Sequence, residues 1–358
     1  MSAAAHDINI SQPAITQALA KLEGQLGQSL FERRPDGMCG TPAASLIVPR
    51  IEAALIHVAS PRVTMTQLRA LIAVADAGSY AGASAATRLA QPSLHRAMAD
   101  LSLALRRVLV ERRGKGIALT DAGKRTVRAF RLARAELEAG ITELEGLKGR
   151  ETGRITIGAM PLSRARLLPA AVSAFHQAHP DVAISIIEGA FHELIEPLRD
   201  GAIDVMIGAL RDPSPGEDVN QRALFEDRPV MIGRTGHPLA KAPSLAAMAT
   251  YPWIVSAPGT PLRSQWERLF TEAGLLLPIV PIECGSVITI REILRDSDFL
   301  TLLSLDQVAA ELAANWLVKI GDTPKGLTRT IGITTRKDWQ PTGMQAAFVE
   351  MLDDIASG

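Results

Sequence analysis

The chain is short of cysteine, aromatic side chains, net charge and long apolar runs, and each shortage argues against a class of protein. Its 358 residues include only two cysteines, Cys39 and Cys284, far apart and without metal-like spacing. That usage argues for a reducing compartment and against a disulfide framework. No run of about 18 apolar residues is present that could span a bilayer. The N-terminus lacks the basic segment and apolar core of a secretion signal. A cytoplasmic protein without membrane contact is the expectation. Gly-rich phosphate loops, a nucleophile elbow and a local Cys–His pairing are also missing, so neither an enzyme nor a bound cofactor is expected. His176 and His179 lie three apart, but no third ligand stands nearby, and "HQAHPD" reads more simply as a helix end before Pro180; no metal site is expected.

A formal charge of zero hides an asymmetry. Residues 1–150 carry 20 Lys+Arg against 13 Asp+Glu, whereas residues 151–358 carry 18 against 25. A basic N-terminal part on an acidic body suggests a polyanion-binding module attached to something else. The length suits about two or three domains, and abundant alanine with aromatics at 4% favours helix.

What the sequence does contain is a repeat. "ISQPAITQALAKLEGQL" (Ile10–Leu26) aligns without a gap on "LAQPSLHRAMADLSLAL" (Leu89–Leu105), 79 positions later. Ile15, Leu19, Leu22 and Leu26 fall on Leu94, Met98, Leu101 and Leu105, one apolar stripe of a helix. The same offset carries "LFERRPDGMCGTPA" onto "LVERRGKGIALTDA", so the repeated unit spans roughly 45 residues. The second copy reads as helix (Met65–Gly78), short helix, third helix opened by Gln91–Pro92, then a β-wing around Gly114 and Gly116. The first copy begins only at the counterpart of the second helix, an N-terminally truncated version.

A long helical pattern follows from Asp121 to Lys148, with Phe130, Leu137 and Leu144 at sevens and Val127 and Ile141 on the adjoining seam. This spacing suits pairing with another helix, such as one from a second subunit, or packing on its own domain. Arg134 and Gly140 interrupt the seam. Beyond Gly149–Arg154 the pattern becomes α/β. "RITIGA", "VAISIIEG" and "IDVMIGAL" read as buried parallel strands, with helices at Arg164–Ala178 and His192–Asp200. Further βα units are expected around "PVMIGR", "WIVSA", "IVPIE" and "FLTLLS", then strand "RTIGITT" and helix Thr342–Ile355. Some 200 residues of this kind make two lobes with a cleft.

Charge separates the two copies. Residues 1–60 hold four basic and five acidic residues; residues 61–134 hold fourteen and four. Phosphate neutralisation supplies most non-specific affinity for DNA, so the second copy is the expected reader. Its third helix offers Gln91, Pro92, Ser93, His95 and Arg96 opposite the buried stripe, flanked by Arg106, Arg107, Arg112, Arg113 and Lys115. Arg can bond guanine bidentately and Gln adenine, so Thr16 and Gln17 of the first copy are also base-reading candidates. Helix–turn–helix units serve as protein-docking modules too, and that alternative stands for both copies.

These residues resemble the LysR-type transcriptional regulators. The resemblance rests on Ser11-Gln12-Pro13, Leu22-Glu23, Leu26-Gly27 and Leu30-Phe31-x-Arg33 in the first copy. In the second it rests on Gln91-Pro92, Arg112 and Leu119-Thr120-Asp121-Ala122-Gly123. Ser102, Arg106 and Val110 depart from the family's Glu, Gly and Phe. "GRITIGAMPLSRARLLPAAVSAFHQAHPDV", "LRDGAIDVMIGAL", "GHPLA" and "DFLTLL" resemble the family's effector domain.

The resemblance implies a multidomain fold: a duplicated, mostly α winged helix–turn–helix and a two-lobed, periplasmic-binding-protein-like α/β sensor. The expected divisions are a partial copy at 1–60, the DNA-binding domain at 61–120, a dimerisation helix at 121–150 and the effector domain at 153–358. Lobe I takes about 153–226 and 327–358, and lobe II about 227–326. Implied partners are double-stranded promoter DNA, a small-molecule inducer, RNA polymerase and further copies of the chain, as homodimer or homotetramer.

Ligands of open α/β sheets sit beyond the strands' carboxyl ends. That principle selects Ser163, Arg164, Arg166, Glu188, His192, Thr260, Arg263, Ser286 and Thr289. The arginines can pair with a carboxylate, and the family's inducers include many organic and aromatic acids. Each serine or threonine reads equally well as a helix N-cap. A periplasmic solute-binding protein would share the lobes but lacks reason for the basic module.

Overall fold

Helix ends in the basic region are written in short side chains. Thr64 accepts the Gln67 backbone N–H while Gln67 reaches back to the Thr64 N–H, a reciprocal cap that starts α3 (Met65–Ala77). Ser79 caps α4 (Tyr80–Thr87), and Pro92 sits in the first turn of α5 (Gln91–Leu105). The computed structural model describes residues 6, 10–35, 37–114, 116–322 and 326–357.

Helices α3, α4 and α5 close on one core, with Leu68, Leu71, Ile72, Ala83, Leu94, Met98 and Leu101 all buried. The hairpin β3 (Val110–Arg113) and β4 (Gly116–Leu119) follows, then α6 (Asp121–Gly146), capped by Thr120. Earlier in the chain, α1 (Gln12–Leu26), β1 (Phe31–Arg34), β2 (Gly37–Gly40) and α2 (Pro42–Val58) occupy the first copy. The hairpin registers correspond: Phe31 opposes Gly40, and 79 residues on Val110 opposes Leu119. So do the closing bonds. Thr41 donates its hydroxyl to Ser29 O, and Thr120 donates to Val108 O, both at 2.7 Å. One feature separates the copies. The apolar stripe of α1 has no fully buried residue, whereas Leu94, Met98 and Leu101 of α5 are covered by α3.

The seam of α6 is occupied from within the chain. Val127, Phe130 and Leu144 are buried, but Ile141 is 51% exposed, so the adjoining seam is not continuous. Helix α2 of the same chain lies along α6. Ile47 joins Leu144 in one cluster, and Ala54 joins Val127, Phe130 and Ala133 in another, so the two helices run antiparallel. Gly140, an interruption by sequence, is where Ile47 and Arg50 approach most closely.

The α/β part consists of two five-stranded sheets. The first contains β5 (Arg154–Ala159), β6 (Ala183–Glu188), β7 (Val205–Ala209), β8 (Val219–Asp227) and β14 (Arg329–Arg336), in the order β6-β5-β7-β14-β8. Its helices are α7 (Leu167–Ala178), α8 (Phe191–Arg199) and α13 (Gly343–Ser357). Strands β5, β6 and β7 are parallel, whereas β14 pairs antiparallel with β7 and β8. Strand β8 was not among the expected strands; its alternating polar residues conceal it. Helix α7 starts three residues later than its apolar pattern suggested, because Met160–Arg166 forms a turn in which Ser163 donates to Met160 O at 2.8 Å.

The second sheet holds β9 (Val230–Arg234), β10 (Trp253–Val255), β11 (Ile282–Glu283), β12 (Leu300–Leu303) and β13 (Leu317–Lys319). Around it lie α9 (Leu245–Met248), α10 (Pro261–Glu272), α11 (Val287–Arg295) and α12 (Leu305–Ala313). The expected βα unit at "PVMIGR" differs from the outcome: β9 pairs antiparallel with both β12 and β13. The chain enters this lobe between Asp227 and Val230 and leaves it between Lys319 and Arg329. No described helix is long and apolar enough to cross a membrane.

Candidate nucleic-acid interface and ligand cleft

The buried stripe of α5 dictates what faces outward. With Leu94, Met98 and Leu101 turned inward, Gln91, Pro92, Ser93, His95, Arg96 and Asp100 are all exposed. His95 stacks on Tyr80 with ring centroids 3.7 Å apart, which fixes the imidazole at the start of the free face. Arg106 caps α5 at φ +53°, and Arg107 follows it. Arg112 and Arg113 lie exposed on β3. Lys115, expected beside them, lies outside the described residues. Among the described residues, Arg96, Arg106, Arg107, Arg112 and Arg113 make no ion pair and no side-chain hydrogen bond. Five unpaired guanidinium groups around an exposed helix and wing suit phosphate contact and base readout.

The first copy is poorer in this respect. Thr16 spends its hydroxyl on Gln12 O at 3.0 Å, and Gln17 is exposed, with Lys21 one turn on as the basic residue of this helix. Arg34 pairs with Glu32 at 3.8 Å. Glu23 accepts the backbone N–H groups of Leu30 and Phe31, tying the helix to the hairpin.

The cleft residues divide between the lobes. On the first, Arg164 is ion-paired with Glu188, joining the turn after β5 to the end of β6. His192 is exposed on the first turn of α8. On the second, Thr260 and Ser286 are N-caps, accepting from the Arg263 and Thr289 backbone N–H groups at 3.3 and 3.4 Å. Ser163 is 1% exposed and donates its hydroxyl to Met160 O of its own turn. Arg263 is not available as a free cation: it pairs with Glu267 at 2.7 Å and Glu283 at 3.5 Å and lies over Trp266. Arg166 reaches across to Asp306 of α12 at 3.3 Å, bridging the two lobes. Sequence reasoning missed Asp306, whose position after β12 obeys the same strand-end rule.

A cavity of about 190 Å³ lies elsewhere, where α2, α6 and the first sheet meet. Its polar lining includes Arg50, Glu136, Arg154, Asp204 and Arg336. Burial pushes the Asp204 carboxyl above its ordinary pKa, against the Thr156 N–H and the charge of Arg336. Arg336 is pushed down by the same burial and donates to Leu198 O and Ile203 O. Nearby, Arg128 and Arg131 of α6 both pair with Asp200 at the end of α8, and Arg131 also pairs with Asp76 of α3. Helix α8 thus runs from the cleft to α6.

Comparison with known proteins gives concordant matches. A family model described as a bacterial regulatory helix-turn-helix protein, lysR family, matches residues 1–45 and 65–124. A second, the LysR substrate binding domain, matches residues 148–356. The HTH-type transcriptional regulator GalR of Pseudomonas putida is 28% identical over 340 residues, covering 91% of this chain and 86% of that protein. Among solved structures, ArgP from Mycobacterium tuberculosis superposes with a TM-score of 0.62 at 22% identity, covering 82% of this chain and 97% of its own. Full-length LysG of Corynebacterium glutamicum, with bound effector Arg, gives 0.59 at 20%, covering 81% and 97%.

Proposed function

The chain belongs to the LysR family of transcriptional regulators, with a helix–turn–helix region and a substrate-binding domain, and on that premise we propose how its parts divide the work. Regulators of this family bind DNA and small-molecule effectors, form oligomers and are not enzymes. In this chain residues 61–120 grip promoter DNA, α6 is the linker, and residues from about 153 onward sense an inducer and set transcription of nearby genes from the cytoplasm. The observation that carries this reading is the exposed face of α5 with five unpaired arginines around it.

Residues 1–60 are a second, partial winged helix–turn–helix. Equivalent hairpin register, equivalent threonine caps and a separate family match at residues 1–45 support this. The GalR match, at 91% of this chain, must also extend into this region. With four basic and five acidic residues it adds little grip on phosphate. Its helix α2 docks on α6, a protein-docking role.

The inducer is a small organic or aromatic acid held near Arg164 and Arg166. A ligand carboxylate competes with Glu188 and Asp306 for these guanidinium groups. Displacing Asp306 frees one lobe from the other, and α8 carries the change through Asp200 to Arg128 and Arg131. DNA contact is tested by anisotropy with a promoter fragment at rising salt: affinity falls steeply, and salt-independent binding sinks the reading. A thermal-shift screen of carboxylic acids tests the ligand class, and stabilisation by none contradicts it.

A further inference from the structure

Helix α6 has a face that its sequence marks for pairing with another helix, and this chain fills that face itself. The occupant is α2, and the junction is keyed by one residue. Arg50 is 4% exposed and uses all five of its N–H donors. Nε and one terminal nitrogen hold both oxygens of Glu143 at 3.2 and 2.7 Å; the other terminal nitrogen meets Glu136 at 2.9 Å. The remaining donors reach the carbonyl oxygens of Gln340 and Pro341 in the sensor, at 2.8 and 3.4 Å. Burial opposes the charge, but Glu143 and Glu136 outweigh it and hold the guanidinium above its ordinary pKa.

The pairing has the form of an exchange between copies. Ala54 and Ala133 are equivalent positions of the 79-residue repeat, and both lie in one buried cluster between the antiparallel helices, near the C-terminal end of α2. Corresponding residues of the two copies gathered in one cluster by antiparallel packing is what a twofold pair of identical helices would produce. The core of the first copy in turn receives Leu144 from α6, beside Leu30, Ala43, Ala44 and Ile47. The repeat equivalent of Arg50 is Ala129. A second chain's α6 placed here would offer Ala129 and leave Glu136 and Glu143 without their cation, a penalty that α2 avoids.

We infer that residues 10–58 are a built-in replacement for a second subunit on the linker helix, keyed by Arg50. One chain thereby carries α1 of the first copy and the reading helix α5 at opposite ends of a single helix pair. Only residues 59–64 connect α2 to α3. Such a short tether gives an effective concentration on the order of millimolar, which a free second copy does not match. Assembly into oligomers then uses surfaces other than the α6 seam. The inference rests on reading α6 as the linker helix and is independent of DNA binding, so its test can fail while the DNA-binding reading survives.

The test uses the full chain with Cys39→Ser and Cys284→Ser, adding Ala133→Cys alone or with Ala54→Cys. Oxidation or a short thiol crosslinker is applied to mixed ¹⁴N and ¹⁵N protein. The double variant is expected to link within one chain, giving unmixed isotope pairs, and Ala133→Cys alone to give no covalent dimer. A covalent dimer from Ala133→Cys alone, or mixed-isotope links from the double variant, overturns the inference. So does the absence of any link in folded double variant. Unmodified protein supplies a second measurement: amide exchange protection of residues 42–58 should not change with protein concentration. Protection that appears only at high concentration assigns the helix's partner to another chain.

Discussion

The Cβ that Gly140 lacks would stand 2.5 Å from Cδ1 of Ile47, closer than real side chains approach. Cβ and Cγ of Arg50 would lie 3.1 and 3.2 Å away. Glycine in mid-helix costs about 1 kcal/mol relative to alanine, and here that cost lets α2 and α6 close on each other. Gly140→Ala should therefore destabilise the chain by about 1–3 kcal/mol in urea titration despite the better helix former. In an Ile47→Ala background the penalty should shrink. Equal effects in both backgrounds would show that the close approach does not matter.

Arg106 holds the left-handed cap of α5 at φ +53°, where the equivalent residue of the first copy, Gly27, has φ +62°. A side chain in this region is strained by about 1 kcal/mol. Arg106→Gly should raise stability by about that amount while lowering the salt slope of DNA binding by about one phosphate. A stabilised variant with unchanged DNA affinity would remove Arg106 from the interface.

His57 on α2 is held below its ordinary pKa, first by burial and also by the charge of Arg336; Glu136 and Asp338 pull the other way. Its neutral form is the one the fold prefers. The stability it contributes is present above the ordinary value of 6.5 and is lost as pH falls toward the depressed folded value. Denaturant midpoints should fall on acidification through this range, and His57→Gln should flatten that part of the profile. An unchanged profile in the variant would assign the pH dependence to other groups.

The bridge from Arg166 to Asp306 should matter little to stability, because its side chains are 64% and 40% exposed. Asp306→Asn is expected to cost under about 1 kcal/mol while letting the lobes separate, read as a larger radius of gyration in solution scattering. A large loss of stability without any change in dimensions would contradict its role as a lobe latch.

Local signals were the legible ones. Period, caps and turns marked α5, the hairpins and the parallel strands, because each is set within a few residues. The N-cap alternative for Thr260 and Ser286 was likewise readable, and the structure shows those caps. Partners were not legible. Arg50 meets Glu143 and Gln340, 93 and 290 residues away, and no local pattern encodes such a distance. The one available hint was a lone arginine inside "SLIVPRIEAALI", an apolar helix with no reason of its own to bury a charge. Arg263 looked like a free ligand cation for a mixed reason: Glu267, one turn on in the same helix, was a legible partner, whereas Glu283 is reached only once β10 and β11 pair.

On the proposed division of work, residues 61–120 read DNA and the first copy does not. The most direct measurement compares promoter-fragment affinity against salt for Arg96→Ala/Arg112→Ala and for Thr16→Ala/Gln17→Ala. The first pair should weaken binding and lower the slope of log K against log salt by about two, while the second pair leaves both near wild type. Loss of binding in the second pair with the first unaffected would contradict the claim and move the reader to the first copy.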